Sequence, residues 1–420
     1  MPVWCLRFGI VKSAEVSSPD KEQYTRSLVE LASRAGLHRV GVARAEVLHR
    51  ARHALDERKS HGLHNEMQFT FRNPSRSTDP HKTMPSAKSL IVGALSYSSL
   101  LTEHSTKNDA RVESEGTDRY LARIARYVWS DYYEQLKTML RVVADRLNED
   151  GFRSIILADD NSIVDREVAY QAGLGWFGKN SNLLIEGAGS FFVLGCIVTD
   201  ADLVVADQTV EDGCGSCRRC LDDCPTNAIV APGVVDANRC LSWLLQKPGV
   251  FDPRFRAALG DRIYGCDDCQ EVCPPTVRFE RKNPSSSAHS GQQSVRAFAS
   301  VLEILTSDDA TLLEEFGAWY IAARDPKWLR RNALIILGNI GDPADERVAE
   351  ILGDYLSHRD AVLRAHAVWA TARLGLHDLL PQSDPDELVL TELRNLADSS
   401  PGSSPGSSPD SSPGSSPDII

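Results

Sequence analysis

Ten cysteines occur in the 420-residue chain, and eight of them fall between positions 214 and 273. Cys214, Cys217, Cys220 and Cys224, followed by Pro225, keep the CxxCxxCxxxCP spacing of bacterial ferredoxins. Three thiolates on a tight loop can cap three irons of one cubane. The fourth cysteine leads away into a helix and reaches a second cubane. Cys266, Cys269 and Cys273, followed by Pro274, repeat the second half of the pattern, and Cys240 supplies the ligand that this run lacks. The crossing rule then gives one [4Fe–4S] cluster to Cys214, Cys217, Cys220 and Cys273. The other goes to Cys224, Cys240, Cys266 and Cys269. Paired CxxC motifs also hold structural zinc, but the longer run is far more specific. The chemistry expected is one-electron transfer at low potential. Cys5 and Cys196 stand outside the pattern, and Cys196, within an apolar run, reads as an ordinary buried residue.

A plain electron carrier needs no long region ahead of its clusters, so residues 21–206 are expected to hold the electron acceptor. Their periodicity predicts helices over 21–35, 131–147 and 165–172 and strands over 39–45, 89–97, 153–158 and 190–199, an α/β domain. Asp159 and Asp160 follow a predicted strand, at the end where α/β domains place functional groups. Asp165 and Arg166 open the next helix, where an acid is an ordinary cap. The loop from Gly173 to Asn180 satisfies GxGxxG and nearly satisfies GxxxxGK[ST]. A helix precedes it and an extended segment follows, the wrong context for phosphate binding, and Asn180 lacks the hydroxyl that Mg²⁺ requires. The loop is expected to lie against a large flat ligand instead.

Residues 207–277 form the ferredoxin-like module, and 278–380 read as all-helical. Leu329 to Gly341 and Leu363 to Gly375 match at a spacing of 34 positions, which suggests a short HEAT-type solenoid. Its concave face would offer Lys327, Arg330, Arg331 and Arg364 to phosphates, and cutting near Asn283 should spare the clusters. Residues 1–20 and most of 381–420, which end in repeated Ser-Ser-Pro units, are expected to be disordered. The net charge of −12 excludes a global basic field for nucleic acid. No export signal or membrane-length apolar run is evident, so a cytoplasmic location is the default.

Taken together, these motifs resemble one family, the epoxyqueuosine reductases of tRNA modification. The likeness rests on Asp159, Asp165-Arg166, the Ala172–Asn180 loop, Gly189–Gly195, Cys214–Ala228, Arg239–Ser242, Tyr264–Pro274 and the helical repeat. It covers roughly residues 21–376. The resemblance implies a cobalamin held in the α/β domain without a protein ligand on its lower face. It implies electron delivery to cobalt from the two clusters, and Asp159 as proton donor. By the same resemblance, Arg76, Asp159, Lys179, Asn180, Ser181 and Ser242 contact the cobalamin. The substrate would be epoxyqueuosine at the wobble position of tRNA, bound through the anticodon region. The product would be queuosine, in the last step of its biosynthesis, with an external low-potential electron donor and no membrane partner. Two departures stand out: Tyr133 occupies the place of a histidine in many members, and Asp160-Asn161 follows the catalytic aspartate. A dehalogenase-like corrinoid enzyme and a simple iron–sulfur carrier are the alternatives. Neither needs the helical repeat.

Overall fold

The computed structural model describes residues 18–98, 119–283 and 296–398. Its first region alternates α1 (Ser18–Arg34), β1 (Arg39–Arg44), α2 (His49–Ser60), the short α3 (Pro74–Ser77), β2 (Ser89–Ser96) and β3 (Leu121–Ile124). It continues through α4 (Tyr132–Glu149), β4 (Ser154–Ala158), α5 (Asp165–Gln171), the hairpin β5 (Trp176–Phe177) and β6 (Leu183–Leu184), and β7 (Phe192–Thr199). Four strands form one sheet in the order β1-β2-β7-β4. The continuous apolar runs of β2 and β7 place them at its centre, buried along nearly their whole length. Side chains alternate across it. Ile91, Leu95 and Ile197 pack with Leu28, Leu136 and Leu140 of α1 and α4, whereas Leu90, Val92 and Val198 pack with Val168 and Ala169 of α5.

Helix–strand alternation predicted an α/β domain without fixing strand direction, and every neighbouring pair in this sheet is antiparallel. Periodicity reports which face a residue occupies. It carries no information on strand direction, which the long connections leave free.

The cysteine-rich region contains α6 (Arg219–Asp222), β8 (Ile229–Ala231), β9 (Val234–Val235), α7 (Leu241–Leu244), α8 (Pro253–Leu259), β10 (Arg262–Tyr264), α9 (Asp268–Glu271) and α10 (Pro274–Lys282). After it come β11 (Phe298–Ser300) and helices α11 (Val301–Thr306), α12 (Asp309–Phe316), α13 (Lys327–Ile340), α14 (Glu346–Leu356), α15 (Ala361–Arg373) and α16 (Glu387–Asp398). A second sheet, β10-β3-β11, takes one strand from each of the three regions read in the sequence. One buried core likewise runs from Leu28 through Leu244 and Ile263 to Leu334 and Ala367. The regions are therefore stitched together rather than strung on linkers.

The 34-residue repeat maps onto α13 and α15, which pack on each other. Its basic residues, however, are not a free phosphate surface. Arg330 pairs with Asp309 and donates to the Ser307 carbonyl at 2.8 Å. Arg364 pairs with Asp384 and donates to the His358 carbonyl, each at 2.8 Å. Lys327 lies between Asp325 and Asp360. Arg331 is fully buried. Sequence places an arginine on a helix; only the neighbouring acids and carbonyls decide whether its charge is already used.

Two boundaries also shift. Helix α1 begins at Ser18, inside the stretch expected to be disordered, and residues 1–17 lie outside the described set. Residues 387–398 form α16, which buries Val389 and ties Glu392 to the fully buried Arg256 at 2.8 Å. That amphipathic pattern was overshadowed by the Ser-Pro repeats beyond it, which also lie outside the described residues.

Candidate iron–sulfur and active site

Cys214, Cys217, Cys220 and Cys273 line one cavity of about 130 Å³, together with Trp176, Lys179 and Pro274. Burial, reinforced by the neighbouring Cys214, Cys220 and Cys217, pushes the Cys273 thiol up to about 11. The remaining four form a deeper group: Cys269 lies within electrostatic reach of Cys240 and Cys224, and Cys266 of Cys240. Burial raises Cys266 and Cys269 well above the ordinary thiol range. Such thiols are costly to ionise alone and release protons when a metal takes them. Backbone N–H groups already point at sulfur. Ala228 N lies 3.2 Å from Cys224 Sγ, and Ser242 and Trp243 N–H groups face the Cys240 thiol. Among the described residues no three His, Cys, Asp or Glu side chains close on a single-ion position. The two thiol groups suit a cubane, which spreads its ligands wider than one zinc ion does. Cys5 lies outside the described residues, and Cys196 is fully buried in β7.

The Gly173–Asn180 loop reaches these cysteines. Gly175 has no room for a side chain, because a Cβ there would sit 2.0 Å from the Leu184 carbonyl of its own hairpin. The glycine thus serves the close approach of the two strands of the β5–β6 hairpin. Lys179 Nζ donates to the carbonyls of Gly215 at 2.6 Å and Cys217 at 2.9 Å. Asn180 Nδ2 donates to the Cys269 carbonyl at 3.2 Å. Two residues assigned to cobalamin by resemblance thus clasp the two cysteine loops. Ser181 adopts a left-handed backbone (φ 65°), and its carbonyl accepts from Arg166. Ser242 lies in α7, two residues beyond Cys240. Lys179→Met should loosen the Cys214–Cys220 loop, since each lost bond is charge-assisted. The variant is expected to retain less iron after anaerobic desalting, measured against wild type. The parent protein should show no ATP or NAD binding by calorimetry.

Further staples join the sheet region to the cysteine module. Arg126 pairs with Glu280 and, at 3.4 Å, with Glu271, while its backbone N–H donates to Asp267 at 2.7 Å. Ser98 Oγ donates to Glu280 at 3.0 Å, and Ser190 Oγ to Gln270 at 2.9 Å. Arg50, set against the rings of both Tyr170 and Phe177, pairs with the buried Glu167. Sequence reading missed Arg50 and the partners of Arg126, because each contact joins residues more than a hundred positions apart.

Asp159 ends β4 in the left-handed region, with φ 54°. A non-glycine residue there costs about 1–3 kcal/mol, a strain concentrated at functional sites. Its side chain is exposed to solvent, yet the surrounding protein partly desolvates the carboxyl and raises it above the ordinary range, with Lys137 opposing and Asp160 adding. Asp165 is no cap: Val164 holds that position, and Asp165 Oδ1 is buried without a hydrogen-bond partner. Burial, with Asp159 next, raises it well above the carboxylate range. Tyr133 is raised by burial and then by Asp159 and Asp165, so the residue in the histidine's place faces the same acids. Nearby, Arg76 donates to Ser162 at 3.1 Å and lines a cavity of about 380 Å³ with Phe69, Arg72, Asn73 and Asn161.

Two sets of four thiols and a strained acid just after β4 fit an iron–sulfur oxidoreductase. Residues 213–276 match the family model for a 4Fe-4S double cluster binding domain, and residues 77–160 match the model for epoxyqueuosine reductase QueG, DUF1730. The chain is 33% identical over 357 residues to the epoxyqueuosine reductase of Vibrio cholerae, covering 84% of this chain and 92% of that one. It is 30% identical over 371 residues to that of Xanthomonas campestris, covering 87% and 100%. It superposes on an epoxyqueuosine reductase crystallised with an epoxyqueuosine-modified tRNA-Tyr stem loop, with TM-score 0.76, 28% identity, and 89% and 98% of the two chains covered. The Streptococcus thermophilus enzyme gives TM-score 0.75 at 26% identity, covering 89% and 98%. The chain belongs to the epoxyqueuosine reductase family.

Proposed function

We propose that this chain reduces epoxyqueuosine in tRNA to queuosine, the last step of queuosine biosynthesis. One observation carries the reading: near-complete superposition on a relative crystallised with an epoxyqueuosine-modified stem loop. The net reaction consumes the epoxide, two electrons and two protons. Both carbon–oxygen bonds break, an alkene forms, and the oxygen leaves as water.

In this reading Cys214, Cys217, Cys220 and Cys273 hold the outer [4Fe–4S] cluster, and Cys224, Cys240, Cys266 and Cys269 the inner one. The outer set opens on the Cys214–Cys220 loop, much of which is exposed, so an external low-potential donor would meet it first. Cobalamin is the further cofactor the family implies. Arg76 and Asn161 suit its phosphate and amide groups, and Asn161 brings the cavity they line within two residues of Asp159 in the chain. When bound, it supplies the reductive cleavage of a carbon–oxygen bond. The chain's own part is to hold the tRNA, exclude water and keep a proton on the Asp159 carboxyl until the oxygen leaves. Lys179 and Asn180 act indirectly, by fixing the cysteine loops.

Residues 21–206 form the cofactor-binding region, 207–282 the ferredoxin-like module and 301–398 a short HEAT-like array. A tRNA substrate places the work in the cytoplasm. No helix among the described residues is long and apolar enough to cross a membrane.

Anaerobic reconstitution should yield about eight irons per chain, the content of two cubanes. With cobalamin, reductant and a modified stem loop, mass spectrometry should record loss of one oxygen from the nucleoside. Bound zinc without iron, or an unchanged nucleoside, would reject the reading.

A further inference from the structure

Tyr320 is 60% exposed, the most open of the large hydrophobic side chains among the described residues. Single exposed aromatics are common and need no explanation, but the backbone around this one is held with unusual care. Tyr264 Oη accepts from Tyr320 N at 2.9 Å and lies 3.4 Å from the Tyr320 carbonyl. The neighbouring Trp319 stacks on the Tyr264 ring with centroids 4.5 Å apart. Arg324 closes the loop by donating to the Gly317 carbonyl, and Trp328 Nε1 donates to Ala322 O at 3.1 Å.

The same loop carries strain. Ala323 and Arg324 are consecutive non-glycine residues in the left-handed region, with φ 54° and 56°. Neither has a local geometric need that a glycine would not meet more cheaply. Strain of this kind persists where the surroundings over-determine it, and it clusters at binding sites. The loop also sits against the cysteine module: Tyr264, which anchors it, ends β10 two residues before Cys266.

A rigid, open aromatic ring held against the cysteine module is what an unpaired base stacks on. Every base has a π-face, and single-stranded loops are read by splaying bases onto such rings. We propose that Tyr320 is a stacking platform for an unpaired base flanking the modified nucleotide, presented by the clasped 317–324 loop. This rests on the tRNA reading given above. It also supplies what the helical region lost when its arginines proved to be engaged with protein: a contact to nucleic acid that needs no free charge.

The test uses the full-length reconstituted protein and an RNA stem loop carrying 2-aminopurine beside the wobble position. Wild type and Tyr320→Phe should quench the probe and bind alike. Tyr320→Ala should leave it unquenched and bind roughly 10- to 100-fold more weakly, the scale of one lost base–aromatic stack. The salt dependence of binding should not change, because no phosphate contact is removed. Iron content of the Tyr320→Ala protein checks that its fold is kept. Unchanged affinity and quenching in Tyr320→Ala would overturn the proposal, as would an equal loss on a fully paired duplex. A wild-type protein that ignored the stem loop would overturn both this proposal and the substrate reading, whereas wild-type binding with a silent Tyr320→Ala overturns this one alone.

Discussion

Asp159→Asn is expected to lower epoxyqueuosine reduction by roughly 10²-fold or more, the usual scale for losing a general acid. Asparagine keeps the size of the side chain and much of its hydrogen bonding, and it tolerates the left-handed backbone at this corner. What it removes is a transferable proton. Iron content, cobalamin retention and stem-loop affinity should therefore match wild type, while nucleoside turnover collapses. The pH dependence gives a second signature. In the proposed role the competent form is the protonated acid, and desolvation by the surrounding protein raises its pKa. Wild-type turnover should fall as pH rises through that raised value, and the asparagine variant should lack this limb. Near-normal turnover in Asp159→Asn, with the loss appearing in Asp160→Asn, would move the role by one residue. Asp160 Oδ1 accepts from Ser162 N at 2.7 Å, a turn-forming bond that suits a structural part.

Arg331→Ala should be the most damaging substitution in the helical region. The guanidinium is fully buried and donates to the carbonyls of Lys247 at 2.6 Å, Gly249 at 2.9 Å, and Leu244 and Leu245 at 3.2 Å. Asn332, next to it, donates to the Leu245 and Ile263 carbonyls. Leu244 ends α7, the helix entered directly from Cys240, and Leu245, Lys247 and Gly249 form the turn after it, while Ile263 lies in β10. Burial, with Arg256 nearby, brings the Arg331 guanidinium down to about 9, so its charge is carried at a cost that the carbonyl fork offsets. Truncation would leave several buried acceptors unpaired and a void between Phe251 and Trp328, which flank the side chain. The expected loss is about 3–5 kcal/mol, as for breaking other buried charged networks. A lowered denaturant midpoint and loss of iron from the inner cysteine set would report it. Arg331→Lys should fall between, since an ammonium has three donors for the same fork. By the same geometry, cutting the chain near Asn283 should cost cluster retention as well as tRNA affinity. A truncated protein holding both clusters normally would show that the fork matters little.

The cluster chemistry was legible in the sequence because cubane ligation is set by spacing within short loops, and covalent geometry fixes such loops almost alone. The principal helices and strands were legible for a related reason: burial of one face imposes a period of 2 or 3.6 on the residues themselves. The 34-residue repeat belongs to the same class, and it maps onto α13 and α15, which pack on each other with α14 between them in the chain. Residue type alone, though, does not name a distant partner. Arg330, Arg331 and Arg364 looked alike in sequence. The fold spends the first on Asp309, the second on four backbone carbonyls and the third on Asp384. Lys179 and Asn180 looked like ligand contacts and became clasps on the cysteine loops. The antiparallel order of the main sheet, and the three-stranded sheet shared by three regions, depend on how long connections return. No local period records that. Nor does sequence tell an exposed tyrosine from a buried one: Tyr264 and Tyr320 take opposite places because the first packs against Trp319 and the second is turned outward by the loop it belongs to. Local pattern thus determined the elements and the cofactor chemistry. Tertiary contacts between residues far apart in the chain determined which charges are free, which acids are crowded, and which ring faces the substrate.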